Sequence, residues 1–244
     1  MIDHGLRGCN ILKLFCIPYA GGSSSFYFFW KKTLNEDIEL IPLELAGKGR
    51  RISEDMYKSF HEMVDDVYSL MLPHIKDGSP FAVFGHSMGG SIVYEIAERL
   101  EVFNVKHLFI SGCRAPHLKR EERKFETDEE MIRTLVQLGG TPIEFLRNKD
   151  FVQTFFPIIR GDLKNLYAHS FEKKKITTPT TIMHGTKEDC IIDDVLMWNE
   201  YFYSKPNIEF FDGGHFFIEK FEKEVTYIIN KALIETTNQN KEVK

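Results

Sequence analysis

The chain has 244 residues, 43% of them hydrophobic and 27% charged, with a formal net charge of −5. That length fits one large α/β domain with a sizeable core, and the negative balance argues against nucleic acid as the main partner. The four cysteines, Cys9, Cys16, Cys113 and Cys190, have no C-x-x-C or metal-ligand spacing and read as thiols of a reducing compartment. With no signal-peptide pattern and no apolar run of membrane-spanning length, a soluble cytoplasmic protein is expected.

Apolar, β-rich runs recur along the chain at Leu12–Ala20, Ile38–Leu45, Phe81–Phe84, Val105–Ile110, Thr180–His184 and Ile208–Phe211. Helix-period segments lie between them, at Ser24–Leu34, Phe60–Ile75, Ser91–Leu100, Val195–Tyr203 and Phe217–Leu233. The alternation predicts an α/β fold with a mostly parallel central sheet flanked by helices. Ligands in such folds bind at the carboxyl ends of the strands. One connection is about twice as long as a βα unit needs. It carries a charged stretch at Lys119–Glu130, a helical Met131–Leu138, a Gly139-Gly140-Thr141-Pro142 break and an apolar Phe151–Ile159. An insertion this long reads as a helical lid, at about residues 114–176. The expected organisation is one domain over 1–234 and a polar tail over 235–244. Most of the 21 phenylalanines belong in the core, with a minority as candidates for an apolar pocket.

Residues 85–90 read Gly-His-Ser-Met-Gly-Gly, between the run Phe81–Phe84 and the helical pattern Ile92, Val93, Ile96, Ala97, Leu100. This is a G-x-S-x-G nucleophile elbow, in which a tight strand-to-helix turn exposes the Ser87 hydroxyl at the sheet edge. A serine nucleophile needs a base and a group that orients the base. His215 follows a strand and the pair Gly213-Gly214, which makes it the leading base. His86, next to Ser87, reads as a structural elbow residue, and His184 as a weaker base. The acid is expected after the Thr180–His184 strand, where Glu188 and Asp189 stand side by side. Asp189 is favoured by residue type, with Glu188 the alternative; the residues alone leave the choice open. Two backbone N–H groups are expected to hold the oxyanion, that of Met88 and one from the loop Pro18–Ser24, at Ala20. A phosphate loop at Gly21-Gly22 is the rival reading of that loop, but neither G-K-[ST] nor G-x-G-x-x-G is present.

From about Leu12 to Leu233 the chain resembles the type II thioesterases that accompany non-ribosomal peptide and polyketide synthases. The resemblance rests on Pro18–Ser23, Glu44–Arg51, Phe84–Gly90, Leu138–Pro142, Pro157–Asp162 and Phe211–Phe216. It implies an α/β-hydrolase fold with a helical lid. It also implies hydrolysis of acyl thioesters on the phosphopantetheine arm of acyl or peptidyl carrier protein domains of a synthase. No cofactor, metal, nucleic acid or membrane is implied, and a monomer is expected. Ser87 and His215 fall on the family's nucleophile and base, and Met88 and Ala20 on its oxyanion positions. The departure lies in the acid loop. The family's aspartate comes three residues after the glycine, where this chain has Glu188, and Asp189 is one later. The rivals are a carboxylesterase or acyltransferase of the same fold and a catalytically silent binding protein. Three basic groups are candidates for meeting an acidic carrier: Lys48, Arg50 and Arg51; Lys119, Arg120, Arg123 and Lys124; and Lys173–Lys175.

Overall fold

A computed structural model describes residues 11–118, 125–188 and 192–239, with side chains to residue 234. Six strands form one sheet: β1 (Leu12–Ile17), β2 (Ile38–Pro42), β3 (Phe81–His86), β4 (Val105–Ser111), β5 (Thr180–Gly185) and β6 (Asn207–Phe211). All five pairings are parallel, and the order is β2-β1-β3-β4-β5-β6. The inner strands β3 and β5 are buried along their whole length, as strands of a parallel sheet covered on both faces are. The chain leaves β1 first toward β2 and then returns to β3 on its other side. The topological switch therefore lies between β1 and β3, where α/β sheets open a crevice at their carboxyl edge.

Helices α1 (Phe60–Ile75) and α2 (Met88–Leu100) cover one face. α1 buries Met63, Val64, Val67, Met71 and Ile75, a stripe of helical period. The other face packs against Tyr27 and Trp30 and against the last helix. The aromatic segment after β1 forms a 3-10 helix, Ser24–Lys32, in place of the expected α-helix. Its buried residues Ser24, Tyr27 and Trp30 recur every three positions, which is one face of a three-residue turn.

Between β4 and β5 stand α3 (Asp128–Leu138), α4 (Ile143–Leu146) and α5 (Lys149–Ala168). A Thr127/Glu130 capping box starts α3, and the Asn148 side chain caps α5. These helices enclose their own apolar cluster of Phe125, Met131, Leu135, Leu146, Phe156, Ile159 and Leu163. The expected helix at Val195–Tyr203 is divided into α6 (Ile192–Leu196) and a 3-10 turn, Met197–Tyr201. The one expected at Phe217–Leu233 is divided into α7 (Phe217–Lys220) and α8 (Glu222–Gln239). α8 buries Val225, Ile229 and Leu233 against the sheet and runs on into the segment expected as a polar tail. No helix among the described residues is long and apolar enough to cross a membrane.

Candidate active site

β3 ends at His86, and Ser87 forms the turn into α2 with φ 56° and ψ −118°. Ser87 is the one non-glycine residue with positive φ among those described, a conformation that costs on the order of 1–3 kcal/mol. The surroundings hold it there. Its N–H donates to Ser111 O (2.7 Å), and its carbonyl accepts from Ser91 N–H (3.1 Å) and from the Cys113 thiol (2.8 Å). The turn is tight enough to require glycine on both sides. A Cβ on Gly85 would lie 2.2 Å from Gly89 O, and one on Gly89 would lie 2.2 Å from Ile17 O.

His215 reaches this hydroxyl from the loop after β6. Its Nε2 is 2.8 Å from Ser87 Oγ, and its Nδ1 is 2.7 Å from Glu188 Oε2. Glu188 follows β5, whose end is level with that of β6 through the pair Gly185–Phe211. Its other oxygen accepts the N–H of Gly185 at 3.1 Å. Glu188 and His215 side chains are only 9% and 11% exposed. Burial works to raise the Glu188 pKa. The His215 hydrogen bond, the nearby imidazoles and the Gly185 N–H together outweigh it and hold the carboxyl below its usual range. The carboxylate therefore stays ionised beside the ring.

Asp189, the acid favoured by residue type, lies outside the described residues; Glu188, three positions after Gly185, contacts His215. The structure thus brings together Ser87, His215 and Glu188 from the ends of three strands. The two other histidines nearby have different surroundings. His86 is buried with Nδ1 2.9 Å from Ser111 Oγ, turned away from the hydroxyl. Burial, with the adjacent His215 and His184, depresses its pKa well below the ordinary value. His184 is buried on the far side of the acid, 3.4 Å from Glu188 Oε1. Burial lowers its pKa against the pull of Glu188, so it sits there as a neutral ring.

Met88 N opens α2 directly behind Ser87, at the positive end of the helix. Ala20 lies across the switch crevice in the loop after β1. There Gly22 N–H donates to Tyr19 O (2.9 Å) and Gly21 has φ +74°, which makes residues 19–22 a type II turn. Glu44, buried after β2, accepts from Ser24 N–H (2.9 Å), the Ser24 hydroxyl (2.8 Å) and the Ser23 hydroxyl (3.2 Å), fixing the far end of the loop.

The first basic group expected to face a carrier is largely engaged. Lys48 is buried on Asp162 at 2.9 Å, and Arg51 is bound by Glu54 and Asp66. Only Arg50 of the three is exposed. Residues 119–124 lie outside the described residues. Lys173 and Lys174 pair with Glu200 and Glu95. Sequence reading missed Asp162 and Glu44 as supports of the Ala20 loop. Both lie in stretches that carry the resemblance, but their partners are far away in sequence. No group of three or more His, Cys, Asp or Glu among the described residues is arranged to hold a metal ion.

A parallel sheet with a strained serine elbow, and a histidine and a carboxylate on the next strand ends, defines a serine hydrolase of the α/β-hydrolase class. Residues 12–233 match the thioesterase domain family. The chain is 29% identical to the gramicidin S biosynthesis protein GrsT of Aneurinibacillus migulanus, covering 95% of this chain and 93% of that one. It is 32% identical to the human medium-chain S-acyl fatty acid synthase thioesterase, covering 84% of this chain and 80% of that one. Among solved structures, ClbQ of the colibactin pathway superposes with a TM-score of 0.86 at 30% identity, over 93% of this chain and 98% of that one. The chain belongs to the thioesterase domain family and groups with its type II members, those of non-ribosomal peptide and polyketide systems.

Proposed function

We propose that this thioesterase removes acyl groups from the phosphopantetheine arm of carrier protein domains in a non-ribosomal peptide or polyketide synthase. Ser87 is the nucleophile, His215 the base and Glu188 the orienting acid. The observation that carries the reading is the unbroken line from Ser87 Oγ through the His215 ring to Glu188. Its support on the substrate side is the similarity to GrsT and ClbQ.

His215 Nε2 takes the Ser87 proton as Oγ attacks the thioester carbonyl. Glu188 holds the ring by Nδ1–H and stabilises the imidazolium that forms. The negative charge that develops on the carbonyl oxygen is met by the N–H groups of Met88 and Ala20. Collapse expels the pantetheine sulfur, which leaves as the thiol with the proton from His215, and an ester remains on Ser87. His215 then takes a proton from water, the hydroxide adds to that ester, and the carboxylic acid departs as the proton returns to Ser87. Helices α3–α5 act as the lid over this crevice.

The test compares acyl thioester on a carrier protein with the same acyl group on N-acetylcysteamine and on an oxygen ester. The reading expects kcat/KM to be highest on the carrier and lowest on the oxygen ester. Preference for the oxygen ester would make the protein a carboxylesterase. Transfer of the acyl group to an added alcohol or amine in place of water would make it an acyltransferase.

A further inference from the structure

His184 is a buried imidazole for which the mechanism above has no use. It is the last residue but one of β5, and its side chain is only 2% exposed. Among the described residues neither of its ring nitrogens has a hydrogen-bond partner. An unpaired polar group in the interior is costly, and an apolar side chain of similar size avoids that cost. The two residues before it, Ile182 and Met183, are buried apolar side chains of that kind. A histidine at the next position has some other use.

Its surroundings supply one. Nδ1 lies 3.4 Å from Glu188 Oε1, close to it but not aligned as a hydrogen bond. Glu188 therefore stands between two imidazoles, with His184 on the Oε1 side and His215 Nδ1 2.7 Å from Oε2. Burial keeps His184 neutral, and a neutral imidazole carries its hydrogen on one nitrogen. The ionised carboxylate favours the hydrogen on Nδ1, where a small turn of the ring brings the N–H into line. Oε1 already accepts the Gly185 N–H at 3.1 Å, and a carboxylate oxygen has room for a second donor. The acid has need of one. A glutamate has one more rotatable bond than an aspartate and more freedom to lose when it is held in a single orientation.

We propose that His184 is a positioning residue for the triad acid: its Nδ1–H is drawn to Glu188 Oε1 and, with the Gly185 N–H, holds the carboxylate so that Oε2 meets the His215 ring. The proposal rests on the role given to Glu188 above. It makes the end of β5 a frame for the acid, with one donor from the backbone and one from a side chain. The carboxylate acts on the imidazolium that forms as Ser87 attacks, so its misplacement falls on kcat.

The experiment uses an acyl-N-acetylcysteamine thioester, which needs no carrier docking. His184→Leu fills the space but cannot donate. It should lower kcat by roughly 5- to 50-fold, with KM within about threefold of wild type. His184→Asn places an amide NH2 near the position of Nδ1 and should keep kcat within about twofold of wild type. A double-mutant cycle tests whether the effect passes through the acid. Added to Glu188→Gln, His184→Leu should cost no more than about twofold further, because the carboxylate it positions is already gone. Wild-type kcat in His184→Leu, equal losses in the Leu and Asn variants, or a full further loss on top of Glu188→Gln would each overturn the proposal. Glu188→Gln alone separates the two readings. If its kcat is low while His184→Leu is fully active, only this inference fails; if Glu188→Gln turns over normally, the assignment of the acid fails with it.

Discussion

Ser87 has two properties that separate cleanly by substitution, its hydroxyl and its strained backbone. Ser87→Ala removes the first and keeps the second, because alanine at φ 56° is as strained as serine. Ser87→Gly removes both. Each should lower kcat by about 10³-fold or more, and adding His215→Ala should cost little further, since the two act as a unit. In urea unfolding, Ser87→Gly should be more stable than Ser87→Ala by about 1–2 kcal/mol. Equal stabilities would mean the elbow stores no strain. The acid is tested by a ranking. Glu188→Gln should lower kcat by up to ~10⁴-fold, as loss of a triad carboxylate does, while Asp189→Asn should leave it near wild type. The reverse ranking would move the role to Asp189. The sequence left these two adjacent carboxylates undecided, because one residue of loop register separates them. In the structure Glu188 Oε1 accepts the Gly185 N–H while Oε2 faces His215.

Among the elements, α5 joins parts of the chain that are far apart in sequence. Phe156, Ile159 and Leu163 pack on α3 and α4, Arg160 bonds Phe125 O (2.5 Å) and Asp128 (2.7 Å), and Asp162 holds the loop after β1. Phe156 is 1% exposed, and Phe156→Ala should destabilise by about 3–5 kcal/mol through the cavity it leaves. Limited proteolysis should then cut first between β4 and β5, ahead of the sheet. Simultaneous loss of the whole fold would show that this cluster belongs to the main core. The strands were legible because short β-rich segments such as Phe81–Phe84 and Thr180–His184 alternate with helix-period ones. The 3-10 helix at Ser24–Lys32 was not, because five aromatics in nine residues hide the three-residue spacing of the buried ones. Lys48 read as a surface cation for a related reason: its partner Asp162 is 114 residues away, and no local pattern announces such a pair.

On the scale of the whole molecule, three buried histidines link stability to pH. Burial takes His107 from its ordinary value of 6.5 to about 4, where its Nε2 stands 2.9 Å from Thr181 Oγ1. His86 and His184 are lowered by the same cause. Each binds a proton more readily when unfolded, so stability is fully present above pH ~6.5 and is lost as pH falls toward the folded values. Unfolding free energy should be roughly 2 kcal/mol or more lower at pH 5 than at pH 7.5, at about 1.4 kcal/mol per unit for each group. No change over that interval would contradict neutral buried rings. The lowered Glu188 pKa acts in a separate window, below about pH 4.3, where protonating the carboxylate removes its bond to His215.

The central claim is that an acyl group passes through Ser87. Its most direct test is to mix the enzyme with an acyl-loaded carrier protein in excess, quench with acid within milliseconds, and map the acyl mass by peptide. The account predicts an adduct on the peptide that contains Ser87. That adduct should decay as free acid appears, and Ser87→Ala should lack it. An adduct on another residue, or hydrolysis by Ser87→Ala at near the wild-type rate, would contradict it.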